Sequence, residues 1–251
     1  MNGTAIRLTE QVVLVGSGEI GLSEAHDSHV YLIDAGSGYL MVDCGAGIEP
    51  EKITKNIQGL DVNFDSIKYI LITHGHADHA GGAWYFHSML NAYLCAGEKT
   101  ATLLSRDDEK GISLDIARME GIYPSNFKIH SVELSKVMHD GDRLKVGDCI
   151  IEVLETPGHS ADSTCYLISL DEGPALFCGD TILANGTLTL LNTSDSDLQK
   201  LRDSIDKLSA FDFDGLYPGH GTFQVREGSN TVKQLHQRLK TSIFLPPVMK
   251  G

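Results

Sequence analysis

The sequence predicts an α/β protein, a four-layer αββα sandwich with a small helical cap insertion. Three observations lead there. Short apolar runs end at single glycines, of which the chain has 26, the texture of short strands joined by tight turns. A strand–turn–strand unit occurs twice: Val30-Tyr-Leu-Ile-Asp-Ala-Gly-Ser-Gly-Tyr-Leu-Met-Val-Asp43 resembles Cys165-Tyr-Leu-Ile-Ser-Leu-Asp-Glu-Gly-Pro-Ala-Leu-Phe-Cys178. Each copy is followed, further along the chain, by a strand that runs into a His-bearing loop, Leu71-Ile-Thr-His74 in one half and Leu216-Tyr-Pro-Gly-His220 in the other. Two hairpin layers with helices outside bring these loops together at one edge.

The elements follow in order. Gln11–Val15 is a first strand, and residues 16–28 form a loop. Val30–Ile33 and Tyr39–Val42 flank Asp34-Ala-Gly-Ser-Gly38 and read as a β-hairpin. Residues 50–60 are a short helix. Lys68–Thr73 is a nearly continuous apolar run, as in a strand buried on both faces. Residues 79–94 read as a helix whose apolar face is broken only by Gly81-Gly82. A more polar helical pattern runs from Glu98 to about Met119, and Tyr123-Pro124 ends it. Strands return at Arg143–Val146, Cys149–Leu154, Thr164–Ser169 and Ala175–Cys178. Asp197–Leu208 is an amphipathic helix with Leu198, Leu201, Ile205 and Leu208 on one stripe. Gly215–Tyr217 is a short strand and Asn230–Thr241 a helix. Residues 1–251 read as a single domain, with 96–139 as a helical cap over the edge that bears the histidines. Trp84, Tyr85, Phe86, Met89, Met119 and Tyr123 are the candidates for apolar pocket walls.

Composition narrows the function classes. The 251 residues are 41% hydrophobic and 22% charged, ordinary soluble globular material. No apolar run approaches the roughly 18 residues of a transmembrane helix. The start, MNGTAIRLTEQ, lacks the basic and apolar stretches of a signal peptide. Cys44, Cys95, Cys149, Cys165 and Cys178 are odd in number and widely spaced, which points to reduced thiols and a cytoplasmic protein. With 20 basic against 34 acidic residues, the formal charge of −14 disfavours nucleic acid and anionic membranes as partners. A small-molecule substrate is the expected partner, and a homodimer is compatible with the sequence.

Seven residues carry the chemistry. Thr73-His-Gly-His-Ala-Asp-His79 packs His74, His76, Asp78 and His79 into six positions directly after a strand. His74 and His76 point the same way in extended backbone, because side chains alternate with period two. The others lie at glycine corners after strands: His159 in Thr156-Pro-Gly-His, Asp180 in Cys178-Gly-Asp and His220 in Pro218-Gly-His. Imidazoles and carboxylates in this proportion suit zinc or a similar first-row ion, with iron and manganese as alternatives, rather than calcium or magnesium. One tetrahedral ion takes three protein ligands and a water, so seven groups suit two divalent ions. We expect His74, His76 and His159 on one ion and Asp78, His79 and His220 on the other, with Asp180 bridging. A hydroxide between the ions is then the expected nucleophile. Asp43, at the end of its strand, is a candidate to hydrogen-bond a ligand histidine from behind.

These motifs resemble those of the metallo-β-lactamase-fold hydrolases, the group that includes glyoxalase II and the quorum-quenching lactonases. The His74–His79 run matches the group's central motif, and Thr156–His159, Gly179-Asp180 and Gly219-His220 match its later ones in the same order, over roughly residues 10–225. The resemblance implies an αββα sandwich with a dinuclear metal site at one edge. Departures from subfamily patterns are informative. Asp180 and the absent signal peptide count against an exported β-lactamase. Ala184–Asp197 contains no Lys or Arg, and 31 residues follow His220, which counts against a glutathione thioesterase of the glyoxalase II type. Leu183 stands where the lactonases carry a tyrosine. The expected activity is hydrolysis of an ester-like bond, thioester or lactone, with Asp78 shuttling a proton to the leaving group. The alternatives are a mononuclear-iron sulfur dioxygenase, a phosphodiesterase or ribonuclease, and a metal-bearing binding or signalling protein.

Overall fold

The alternating apolar pattern of the strands sorts their side chains onto two faces, and the layers follow from that. The structure is a computed structural model describing residues 4–241 and the backbone of 248–249. One sheet has seven strands, in spatial order β1 (Ile6–Arg7), β2 (Val12–Gly16), β3 (Val30–Asp34), β4 (Tyr39–Val42), β5 (Ile67–Ile72), β6 (Tyr93–Gly97) and β7 (Lys136–Met138). The second has five, in the order β13-β11-β10-β9-β8, from β8 (Arg143–Val146), β9 (Cys149–Glu155), β10 (Thr164–Ile168), β11 (Ala175–Gly179) and β13 (Gly215–Pro218). A small parallel pair joins β12 (Leu188–Thr189) to β14 (Val248–Met249). The helices are α1 (Pro50–Gln58), α2 (Ala77–Ala80), α3 (Ala83–Leu90), α4 (Glu98–Ser105), α5 (Leu114–Met119), α6 (Leu198–Leu208) and α7 (Gly228–Thr241).

Val12, Leu14, Tyr31, Ile33, Leu40 and Val42 share one buried cluster with Ile151, Val153, Tyr166, Ile168 and Phe177 of the other sheet. Their neighbours one position along, Val13, Leu32 and Met41, pack outward with Ile53 and Ile57 of α1 and Phe86 of α3. On the far side, Leu176 and Leu216 pack outward with Leu201, Ile205 and Leu208 of α6 and Val232 and Leu235 of α7. This period-two division makes the four expected layers. Among the described residues, no helix is long and apolar enough to cross a membrane.

Two stretches differ from the sequence reading. The helix expected over 79–94 is two helices, α2 and α3, separated at Gly81-Gly82, where the backbone lies against the carbonyls of Ala46 and Cys44 and leaves no room for a Cβ. Its last residues belong instead to β6, entered through Asn91 in the left-handed conformation with φ 50°. The helix expected from Glu98 to Met119 breaks into α4 and α5, because Asp107 and Ser113 take positive φ. The 96–139 insertion therefore includes residues of β6 and β7 at its two ends, and α4 packs against both strands. The segment available to cover the edge lies between α4 and β7.

The internal repeat is structural. Strands β3 and β4 pair antiparallel with Tyr31 opposite Val42, and β10 and β11 pair with Tyr166 opposite Phe177, the same register in the two copies. In each half a parallel strand follows, β5 beside β4 and β13 beside β11. The halves are cross-linked by equivalent bonds. The Tyr31 hydroxyl donates to the carbonyl of Pro218 at 2.6 Å, and the Tyr166 hydroxyl donates to the carbonyl of Ile72 at 2.7 Å. Two residues before each tyrosine, the His29 amide donates to the Gly219 carbonyl at 2.7 Å and the Thr164 amide donates to the Thr73 carbonyl at 2.9 Å. Each half thus grips the strand end that leads into the other half's histidine loop.

Candidate metal centre and cavity

The parallel strands β5, β11 and β13 end at the same edge, and the seven predicted residues all come from the loops there. His74 lies two residues after β5, His76 precedes α2, and Asp78 and His79 lie in its first turn. His159 lies between β9 and β10, Asp180 directly follows β11, and His220 follows β13. Two glycines make this convergence feasible. Gly179 turns the chain out of β11 with φ 47°, against Thr73 and His74. At Gly219 any Cβ would run into the His79 ring and the Asp180 carboxylate, so only glycine permits the approach.

Ring nitrogens and carboxylates meet in two groups. His76 Nδ1 lies 3.1 Å from His74 Nε2 and 3.0 Å from His159 Nε2. Asp78 Oδ2 lies 3.0 Å from His220 Nε2 and 3.5 Å from His79 Nε2. Asp180 stands between them, with Oδ1 3.3 Å from His79 Nε2 and Oδ2 3.6 Å from both His159 Nε2 and His220 Nε2. The sets His74/His76/His159, Asp78/His79/His220 and His74/His79/Asp180 each bring their ligand atoms within 4.8 Å of one another. All seven predicted residues are therefore brought together; two of these sets match the two expected groups, and the third links His74 of one to His79 of the other through Asp180.

The far side of each ring is held. His79 Nδ1 bonds Asp43 at 2.8 Å, and the same carboxylate accepts the Thr73 amide and hydroxyl, both at 2.8 Å. His74 Nδ1 meets the Thr73 hydroxyl at 3.1 Å, His76 Nε2 meets Asp195 at 3.1 Å, and His159 Nδ1 meets the Thr189 carbonyl at 2.9 Å. Glu19 lies 3.5 Å from His220 Nδ1 and accepts the Gly221 amide at 2.8 Å. With one nitrogen of each ring occupied outward, the other faces its neighbours and would be the one to offer a lone pair to a cation.

Electrostatics agree with a cation in this place. Burial and the neighbouring His79, His76 and His159 push His74 well below its ordinary range, and burial takes His159 down to about 4. Burial works against a charged His79 and a charged His220, but the surrounding carboxylates win. Asp78 and Asp180 hold His79 well above its usual value, and Asp180 and Asp78 raise His220 to about 10. Asp78, despite burial, is lowered to about 2 by His79 and His220. His79 Nε2 and Asp180 Oδ1 are buried, face each other and have no hydrogen-bond partner. They oppose each other as an ion pair at 3.3 Å without a formed hydrogen bond, and a divalent cation between them would satisfy both. The donor set fits such an ion.

A cavity of about 890 Å³ opens onto these groups, reaching His76, Asp78, His159, Asp180 and His220. Its opposite wall comes from the cap, with Ile112, Leu114, Ile116, Ala117, Ile122 and Tyr123, and its flank from Leu190 and Leu191. Of the aromatic and methionine residues expected to line a pocket, Tyr123 does so. Phe86 is fully buried in the outer core with Tyr85 and Met89 against it, Trp84 rests on His130, and Met119 is 87% exposed on the surface. The reason is helical phase: α3 turns its apolar face to its own sheet.

Several residues at the site escaped the sequence reading. Asp195 links His76 to Ser113, whose hydroxyl donates to it at 2.8 Å, so the cap is tied to the cluster. Buried Asp162 accepts the Gly75 amide at 2.8 Å and the Thr100 and Ser160 hydroxyls at 2.9 and 2.7 Å, fixing the His74–His76 loop. Glu19 and Thr189 complete the set. No local spacing marks these residues; only the repeat does so for Asp162, which occupies the place of Asp27 in the first copy.

Known proteins are similar in sequence and fold. The chain is 26% identical over 244 residues to a Beta-lactamase-like protein 2 homolog of Caenorhabditis elegans, covering 97% of this chain and 72% of that one. It is 26% identical over 214 residues to an Atrochrysone carboxyl ACP thioesterase of Aspergillus fumigatus, covering 85% of this chain and 57% of that one. The chain spans 54% to 58% of the length of the fungal relatives it matches. Among solved structures, a metallo-beta-lactamase of Cronobacter sakazakii with a HARLDQ motif superposes with a TM-score of 0.74 at 18% identity, over 95% of this chain and 93% of that one. A subclass B3 metallo-beta-lactamase of Bradyrhizobium japonicum does so at 0.70 and 21%, over 94% and 92%. The family model of the metallo-beta-lactamase superfamily matches residues 24–220. On that match and this geometry, the chain belongs to the metallo-beta-lactamase superfamily.

Proposed function

We propose that the chain is a dinuclear metal-dependent hydrolase that cleaves an ester-like bond, thioester or lactone, of a small and partly apolar substrate. The observation that carries this reading is the cavity itself, which joins two adjoining ligand groups to an apolar wall. The thioesterase among the relatives supports the reaction class. His74, His76 and His159 would hold one ion and Asp78, His79 and His220 the second, with Asp180 shared. Zinc fits the imidazole-rich donors best. Two such ions supply a Lewis acid for the carbonyl and a water acidic enough to attack near neutral pH.

The chain's own residues then do the positioning. Asp43, Asp195, Thr73 and the Thr189 carbonyl fix the ring tautomers and orientations. The cap and Leu190–Leu191 hold the acyl portion and exclude water. Asp78, ionised and lining the cavity, accepts the proton of the attacking water and returns it to the leaving group.

Metal analysis of protein purified without added metal, together with a panel of thioesters, lactones and phosphodiesters, tests the reading. The expected result is close to two ions per chain and ester or thioester turnover that a chelator abolishes. One iron per chain with oxygen uptake on a persulfide would overturn it, and so would the absence of chelator-sensitive turnover across the panel.

A further inference from the structure

We infer that the substrate's acyl group is uncharged, and that the cavity selects against carboxylate- and phosphate-bearing esters. The inference rests on the hydrolase reading and names its substrate class. No lysine or arginine lines the cavity among the described residues. Its only basic side chains are His76, His159 and His220, already committed to the candidate metal centre. Arg118, on the cap helix α5 beside lining residues, is turned away: it pairs with Glu109 and donates to the Phe127 carbonyl at 2.7 Å. Two carboxylates outside the proposed ligand set line the cavity instead, Glu19 and Glu120.

The neutral polar groups are few and partly spent. The Ser113 hydroxyl is used on Asp195, and the Thr189 hydroxyl on the Asp180 carbonyl. After Leu190 and Leu191 in the chain, Asn192 and Thr193 also line the cavity, uncharged donors and acceptors suited to a hydroxyl, amide or ether. An acyl chain lying along Ile112, Leu114 and Ile116 therefore meets methyl groups and, where it meets polar groups, neutral dipoles. A carboxylate or phosphate on that chain would lose its hydration with no counter-charge and with Glu120 nearby, which is strongly unfavourable. Ions held by the His/Asp groups would supply positive charge at the reacting carbonyl only, and no cationic side chain of the lining offers the same to a second anion on the acyl group.

Matched thioesters of one length, with an uncharged or a carboxylate-terminated acyl chain, test this. The expected ratio of kcat/KM is about a hundredfold in favour of the uncharged member. Glu120→Lys, on the exposed rim, is expected to narrow that ratio about tenfold. A ratio near one in the native protein would overturn the inference, as would a ratio that Glu120→Lys leaves where it stood. Methyl ketones with the same two tails, measured by calorimetry on the protein with and without added zinc, give a second readout. Preferential binding of the uncharged ketone without turnover of any ester would refute the hydrolase reading and uphold the charge preference. Ester turnover with equal binding of both ketones would do the reverse.

Discussion

Strands β3, β4 and β5 of the first half and β10, β11 and β13 of the second pair in the same order and sense, and even the buried tyrosines Tyr31 and Tyr166 correspond. The chemistry on the two frames is unequal. The loop after β5 carries His74, His76, Asp78 and His79, whereas the loop after β13 carries His220 alone. The corner after β4 supplies Asp43, which holds His79 from behind at Nδ1, and the corner after β11 supplies Asp180, which faces the same ring at Nε2. A repeated scaffold thus fixes where strand ends meet, and the side chain at each corner decides which carboxylate braces the His79 ring from behind and which faces its other nitrogen.

That contrast can be broken first at the two aspartates flanking His79. Asp180→Ala is expected to release at least one bound ion and to lower kcat roughly 10³-fold. Asp43→Asn is expected to weaken metal affinity by about 10- to 100-fold while keeping both ions at saturation. Metal content after dialysis and initial rates distinguish them, and equal losses would erase the distinction between front and back.

The next pair is Asp27 and Asp162, which sit at the same place in the two copies. Asp27 accepts the Ala46 amide at 2.8 Å and the Glu24 amide at 3.1 Å, and burial raises its carboxyl from 3.8 to about 6. The folded chain therefore keeps a proton that the unfolded chain has already lost in this window. Its contribution to stability is complete below about pH 4 and is lost as the pH rises through 6, a fall of about 3 kcal/mol. Urea unfolding of the native protein and Asp27→Asn at pH 4, 5, 6 and 7 should give a difference that shrinks or reverses with pH. A constant difference would mean that Asp27 ionises normally.

Smaller effects follow at the crossed tyrosines. Tyr31→Phe and Tyr166→Phe each leave a buried carbonyl without its donor and are expected to cost about 1–2 kcal/mol. Their costs should be similar because the bonds are equivalent. Their effects on metal should part: Tyr166→Phe loosens the loop of His74 and His76, and Tyr31→Phe the loop of His220. Competition titrations with a chromophoric chelator read the two affinities. The smallest expected effect belongs to Met119→Ser, within about 0.5 kcal/mol and without change in KM, since that side chain is exposed.

Much of this was legible in the sequence because it is periodic or compressed. Alternation in Val30–Ile33 and Tyr39–Val42 predicts a two-faced hairpin, and a His-x-His-x-Asp-His run has few other uses. The glycine corners at 158, 179 and 219 were readable for the same reason, as each precedes a polar side chain after a strand. Tyr93–Gly97 was not, since a short run of small and apolar residues directly after a helix carries no period of its own. Asp195 and Glu19 are single carboxylates among 34 acidic residues, and nothing local separates them from solvated ones. Asp195 also stands close to Asp197, whose carboxylate caps α6 through the Gln199 and Lys200 amides, so the segment reads as a helix start.

The crossed tyrosine bonds also bear on how the molecule comes into being. They join residues 187 and 94 positions apart, so neither can close until distant parts of the chain have been made and docked. Such contacts are late events in folding. During synthesis from the N-terminus, the His74–His79 run emerges long before Tyr166 and Pro218 exist to position it. Assembly of the candidate metal centre is therefore deferred to the joining of the two sheets, and a chain interrupted before β13 holds six of its seven residues without the frame that aims them.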